Sequence, residues 1–147
     1  MRATLLGGGV AGVLDALDGV IAYYLHAGLN PIQVLQFIAS GALGESAFKG
    51  GLLTAAAGAF FHFLIAFVAA GVYSLAATRI RALHAAWLPC GLAYGVWVWA
   101  FMNLLVLPLS KVTPAPFNLA MTINGVVGHA VLVGLPIAYF ARGVRRA

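Results

Sequence analysis

Charge is scarce in this chain. Of 147 residues only 7% are charged, and three are acidic. A soluble domain carries about 25% charged residues, so a water-soluble fold is excluded: too little polar surface is available to cover so apolar a chain. With 63% hydrophobic residues and a mean hydropathy of +1.02, this is the composition of an integral membrane protein of one domain. Cysteine is nearly absent too. Cys90 stands alone, which excludes an internal disulfide and any multi-thiolate metal site. It is expected to be a small buried apolar side chain. The net charge of +5 does not signal nucleic acid, because the basic residues are few, scattered at segment ends, and form no face with stacking aromatics. A cleavable leader is not expected, since Asp15 and Asp18 interrupt the apolar run after Arg2.

What is present is four long apolar segments, at about residues 4–28, 51–78, 85–109 and 118–141. Each exceeds the roughly 20 residues that cross a bilayer core. The sequence therefore predicts an all-α membrane protein of four transmembrane helices. Asn30-Pro31 stops the first, because the residue before proline avoids the helical region. The same pair makes a good helix start. Ile32, Leu35 and Ile38 then share a face, with Gln33, Gln36 and Ser40 as the more polar positions. This predicts a short interfacial or re-entrant helix between the first and second spans. Pro136 is expected to kink the last span, since it lacks a backbone donor. Glu45 and Lys49 have the spacing of a helical ion pair, and His26 and His84 are expected in water at opposite ends.

Lysine and arginine set the orientation. In a four-span arrangement Arg2, Arg79, Arg81, Arg142, Arg145 and Arg146 fall on one side, and Lys49 and Lys111 on the other. The positive-inside rule puts the arginines, and with them both termini, in the cytoplasm. A faint repeat runs through the chain. Gly12-Val13 precedes Pro31 as Gly95-Val96 precedes Pro114, and Gly58 precedes His62 as Gly125 precedes His129. Two related hairpins would give this pattern, and so would chance similarity between glycine-rich helices.

Against this apolar background six polar side chains sit inside the spans: Asp15, Asp18, His62, Asn103, Asn124 and His129. An aspartate at a span centre costs about 2.5–3.5 kcal/mol on insertion scales, and such residues face a bundle interior or a watery cavity. At a rise of about 1.5 Å per residue, His62, His129 and Asp18 all lie roughly 15 Å from the same end of the bundle, with Asp15 one turn deeper. Two carboxylates this close are costly in a low dielectric unless one is protonated, each is paired, or water reaches them. Gly8, Gly12, Asp15, Gly19, Ala22 and His26 form a small-or-polar stripe on the first span. Gly8–Gly12 and Gly91–Gly95 have the spacing that lets helices approach closely.

Several chemistries fit these residues. The cluster can carry protons, a cation or a small solute. The same side chains can instead be interhelical hydrogen-bond partners. His62 and His129 with a carboxylate are also a plausible metal set, or a bis-histidine haem site. No cofactor motif is present, and no serine or cysteine lies beside a His–Asp pair as a nucleophilic enzyme requires.

The second half of the chain resembles the YagU-type family of small bacterial inner-membrane proteins, over about residues 57–142. The resemblance rests on His62 with its apolar run to Tyr73, the turn at Arg79–Ala86, Pro108-Leu109, the Pro114/Pro116 loop, and Gly128-His129 opening the last apolar run. It implies a bacterial inner membrane and draws attention to His62 and His129; it brings no reaction with it. The expected function is passage or sensing of protons or a small solute, and the rival is a structural or assembly subunit of a membrane complex. Four helices pack solidly around their own axis, so transport would call for a homo-oligomer. The expected partner is the lipid bilayer.

Overall fold

A computed structural model describes residues 1–113 and 116–144. The fold is all-α, with four helices long and apolar enough to cross a membrane: Arg2–Ala27, Gly51–Ala77, Trp87–Leu109 and Leu119–Ala141. These are the four predicted spans, with ends that move by at most a few residues. Pro114, Arg145 and Arg146, invoked above for the repeat and the charge bias, lie outside the described residues.

The first span stops at Gly28. Its φ of 65° closes the helix, and its N–H reaches back to the Tyr24 carbonyl; glycine takes this left-handed geometry at no steric cost. Asn30 then caps the predicted short helix, Pro31–Leu43, as a capping box with Gln33. Two of the polar positions of this bridging helix are drawn inside. Gln36 and Ser40 are buried while Ile32 is exposed. The reason is that the Gln36 amide has partners inside: it donates to the Gly51 carbonyl at 3.0 Å and to the Thr54 hydroxyl at 3.4 Å. Buried amides are tolerated when hydrogen-bonded. The bridging helix also lies directly on the second span at Gly58, where any side chain would overlap the Leu35 carbonyl.

Gly44–Lys49 follows as a 3-10 helix. Glu45 and Lys49 do not form the expected ion pair, because three residues per turn put a spacing of four on different faces. His84 also departs from expectation. Its ring is not free in water but lies between the Ala77 carbonyl (2.6 Å) and the Arg142 carbonyl (3.2 Å).

Glycines set how the spans meet. A Cβ at Gly8 would fall 2.6 Å from the Phe67 ring, and one at Gly12 2.8 Å from the Phe63 ring, so the first span lies close along the second. A Cβ at Gly91 would fall 2.8 Å from the Ala138 Cβ, and one at Gly95 would overlap the His129 carbonyl. Both predicted small-residue pairs are thus points of close helix approach. The second and third spans, by contrast, hardly touch. They are joined chiefly by the Tyr94 hydroxyl, which donates to the Ala69 carbonyl at 2.7 Å, and by the Tyr73 and Tyr94 rings, 4.9 Å apart. The buried core (Ala70, Tyr73, Ala77, Ile137, Ala138 and Ala141 among it) gathers toward the end that carries Arg79, Arg81 and Arg142. The other end, under the bridging helix, is open.

Candidate functional site

The site follows from the register of the first span on the fourth. These two helices run antiparallel, and Gly7 fixes their alignment: a Cβ there would stand 3.3 Å from the Ile137 backbone. Advancing the same distance along each helix brings Asp15 to His129, with Oδ1 3.6 Å from Nδ1 and each side chain 22% exposed. One turn further, the Asn124 amide donates to Asp18 Oδ2 at 2.9 Å. Gly128 makes room for that carboxylate, since a Cβ would stand 2.8 Å from the same oxygen. The cost of two buried carboxylates is met by giving each a partner and leaving both partly open.

Both imidazoles are oriented by backbone carbonyls. His129 Nδ1 lies 3.0 Å from the Gly125 carbonyl, and His62 Nε2 lies 2.8 Å from the Gly12 carbonyl of the first span. A carbonyl only accepts, so these nitrogens carry the protons and the opposite nitrogen of each ring is left as an acceptor in the neutral form. Asn103 donates to the Trp99 carbonyl of its own helix at 2.9 Å, so its oxygen is the free atom.

Two site residues lie on irregular helix. Met102–Val106 and His129–Gly134 are π-helical, carrying Asn103 and His129. Each stretch ends just before a proline, Pro108 and Pro136. Proline has no N–H to give the preceding turn, and the helix takes the wider π form there. The irregularity that accompanies Pro136 is a π-turn, a feature frequent at functional sites.

All six predicted residues line one cavity of about 560 Å³ beneath the bridging helix, together with Tyr23, His26, Trp99 and Asn118. No lysine or arginine is among its described lining residues. A second cavity of about 320 Å³ occupies the gap between the second and third spans; apart from Asp15, Ser110 and the two histidines its walls are apolar. The two cavities share Asp15, His62 and His129, with Phe37, Ile38 and Leu107. Sequence reasoning missed this second chamber and the part played by Phe37 and Ile38. The apolar face of the bridging helix was visible, but nothing in the sequence says which spans stay apart.

Among the described residues no three His, Cys, Asp or Glu side chains converge in a manner able to hold a metal ion. Comparison with known protein families, known proteins and solved structures finds no match for the chain.

Proposed function

We propose that the protein binds protons or a small polar solute in this intramembrane cavity, as a step in their passage or sensing. The observation that carries the reading is the convergence of all six intramembrane polar side chains on one cavity, where side chains serving only as glue would be scattered over several interfaces. Asp15 and Asp18 are the proton or cation acceptors. His129, 3.6 Å from Asp15, is the group that exchanges charge with it. His62 serves chiefly to orient, since its Nε2 is held by the first span. Asn124 holds Asp18, and Asn103 presents its oxygen to the cavity.

The reading extends to placement. With Arg2, Arg79, Arg81 and Arg142 at one end and Lys49 and Lys111 at the other, the positive-inside rule puts both termini in the cytoplasm and the bridging helix outside. The resemblance to the YagU-type family supports a bacterial inner membrane. A homo-oligomer or a larger membrane complex is the setting in which so small a bundle would act.

The assembly-subunit reading is favoured by two contacts between spans, His62 with the Gly12 carbonyl and Asn124 with Asp18. Reconstitution separates the two. Purified protein in liposomes carrying a pH-sensitive dye should give a proton- or cation-linked signal, and the Asp15→Asn, Asp18→Asn double variant should insert normally and lose it. A double variant that keeps the signal refutes the proposal. One that has no signal to lose, but fails to co-purify with partner proteins that the wild type retains, favours assembly.

A further inference from the structure

The two cavities meet at Asp15, His62 and His129, and they differ in chemistry. We infer that the site takes a single-chain amphipathic amine, its ammonium head in the polar cavity and its alkyl chain in the apolar chamber between the second and third spans. This rests on the small-solute reading above and names the solute's class.

The head is assigned by hydrogen-bond valence. Asp15 Oδ1 faces His129, leaving Oδ2. Asp18 Oδ2 accepts from Asn124, leaving Oδ1. Asn103 has its amide nitrogen engaged, leaving its oxygen, and Asn124 likewise. His62 and His129 have one nitrogen each on a carbonyl, leaving the other as an acceptor when neutral. Each of the six residues thus offers an acceptor, and among them only the second hydrogens of the two amides donate. A ligand here must be rich in donors, and a primary ammonium carries three. Two carboxylates attract it, and with no lysine or arginine among the described residues of the wall an anionic head finds no fixed counter-charge there.

The tail is assigned by shape and access. At roughly 30 Å³ per chain carbon, about the share of one water in the liquid, the chamber of about 320 Å³ holds on the order of ten carbons. Leu64 and Ile65 line it and keep 47% and 37% of their surface accessible. The chamber lies between two spans that hardly touch, so a chain already dissolved in the bilayer has a route to it without crossing water. Because the bilayer is itself apolar, the chain gains packing rather than transfer free energy on entering. Its contribution must be read against a variant in the same lipid.

The test uses the full chain in phosphatidylcholine nanodiscs, titrated calorimetrically with primary amines from butylamine to dodecylamine and with decanoate. Ile65→Trp fills the chamber from a partly exposed position; Leu64→Trp on the same wall is the second variant. The wild-type-to-variant affinity ratio should be about one for butylamine and rise to about tenfold for decylamine, then level off. Decylamine should bind about tenfold tighter than decanoate, and the Asp15→Asn, Asp18→Asn double variant should lose that preference. A ratio independent of chain length overturns the tail assignment, and equal binding of decanoate overturns the head assignment. Absence of amine binding overturns both. None of these outcomes alters the aspartate-dependent liposome signal, so the broader reading fails or stands separately. If both tryptophan variants misfold, a decylamine with a photoreactive tail decides: labelling at Leu64–Ala69 or Val98–Val106 supports the inference, and labelling elsewhere overturns it.

Discussion

The two ends of the bundle use the same short list of small and apolar residues to opposite effect. At the arginine end Ala70, Tyr73, Ala77, Ile137, Ala138 and Ala141 are buried against one another, and Gly91 lets the third and fourth spans touch. His84 reaches carbonyls at the ends of the second and fourth spans. The Arg142 guanidinium covers Trp87 and Tyr139 at 4.7 and 4.0 Å, a cation–π arrangement. At the other end one glycine, Gly19, faces space. Apart from its own stretch of helix, nothing lies within 4 Å of a Cβ built there, and Gly19 lines the polar cavity. Closure at one end anchors four helices that are then free to part at the other, and the parted half holds the polar groups.

The sharpest way to break this comparison is to enlarge a glycine at each end. Gly91→Leu drives a side chain into Ala138 and the Gly134 carbonyl, which stand 2.8 and 3.0 Å from its Cβ. It should cost about 3 kcal/mol or more, as severe overpacking does, and appear as lost yield and a lower melting temperature in detergent. Gly19→Leu should leave melting unchanged or raised, because leucine is a better helix former by nearly 1 kcal/mol, while the cavity it fills should lose activity in the liposome assay. Equal damage from both would mean that the two ends are packed alike.

His84 offers a smaller effect. Replacing it with alanine removes contacts to two carbonyls and should lower stability by about 1–3 kcal/mol. Melting in detergent measures this, and the liposome signal should persist in the fraction that stays folded. A variant that melts like wild type would show that the arginine end is held by apolar packing alone.

Gly128→Ala should have the smallest effect on stability. Its Cβ meets only the tip of the Asp18 side chain, which can swing away, so melting should change by less than about 1 kcal/mol. The displaced carboxylate should nevertheless lose its bond to Asn124. A drop in the liposome signal to near that of Asp18→Asn would place function in the exact seat of this oxygen; full activity would mean that the carboxylate acts from any position in the cavity.

Much of this was legible beforehand, and for identifiable reasons. Span limits follow from length and hydropathy, so Gly51–Ala77 appeared where the apolar run predicted it. The six polar residues were recognisable because an apolar solvent makes each one costly and hence noticeable. The π-turns had a signal in Pro108 and Pro136, but a missing donor alone does not say what form the turn before it takes. His84 was misjudged because a histidine beside arginines in a turn resembles any wet surface residue until the ends of two other helices are placed around it. The burial of Gln36 was not legible, because the partners of its amide, the Gly51 carbonyl and the Thr54 hydroxyl, belong to a neighbouring span.

By itself, the sequence determined that four helices cross a bilayer, where they begin and end, and which few side chains are out of place there. These properties depend on local composition against a uniform apolar solvent. Tertiary structure alone decided that Asp15 meets His129, that Asp18 meets Asn124, and that the second and third spans stand apart. Those outcomes depend on helix register and on which glycines face a neighbour, and register is a relation between distant segments that no single stretch of chain encodes.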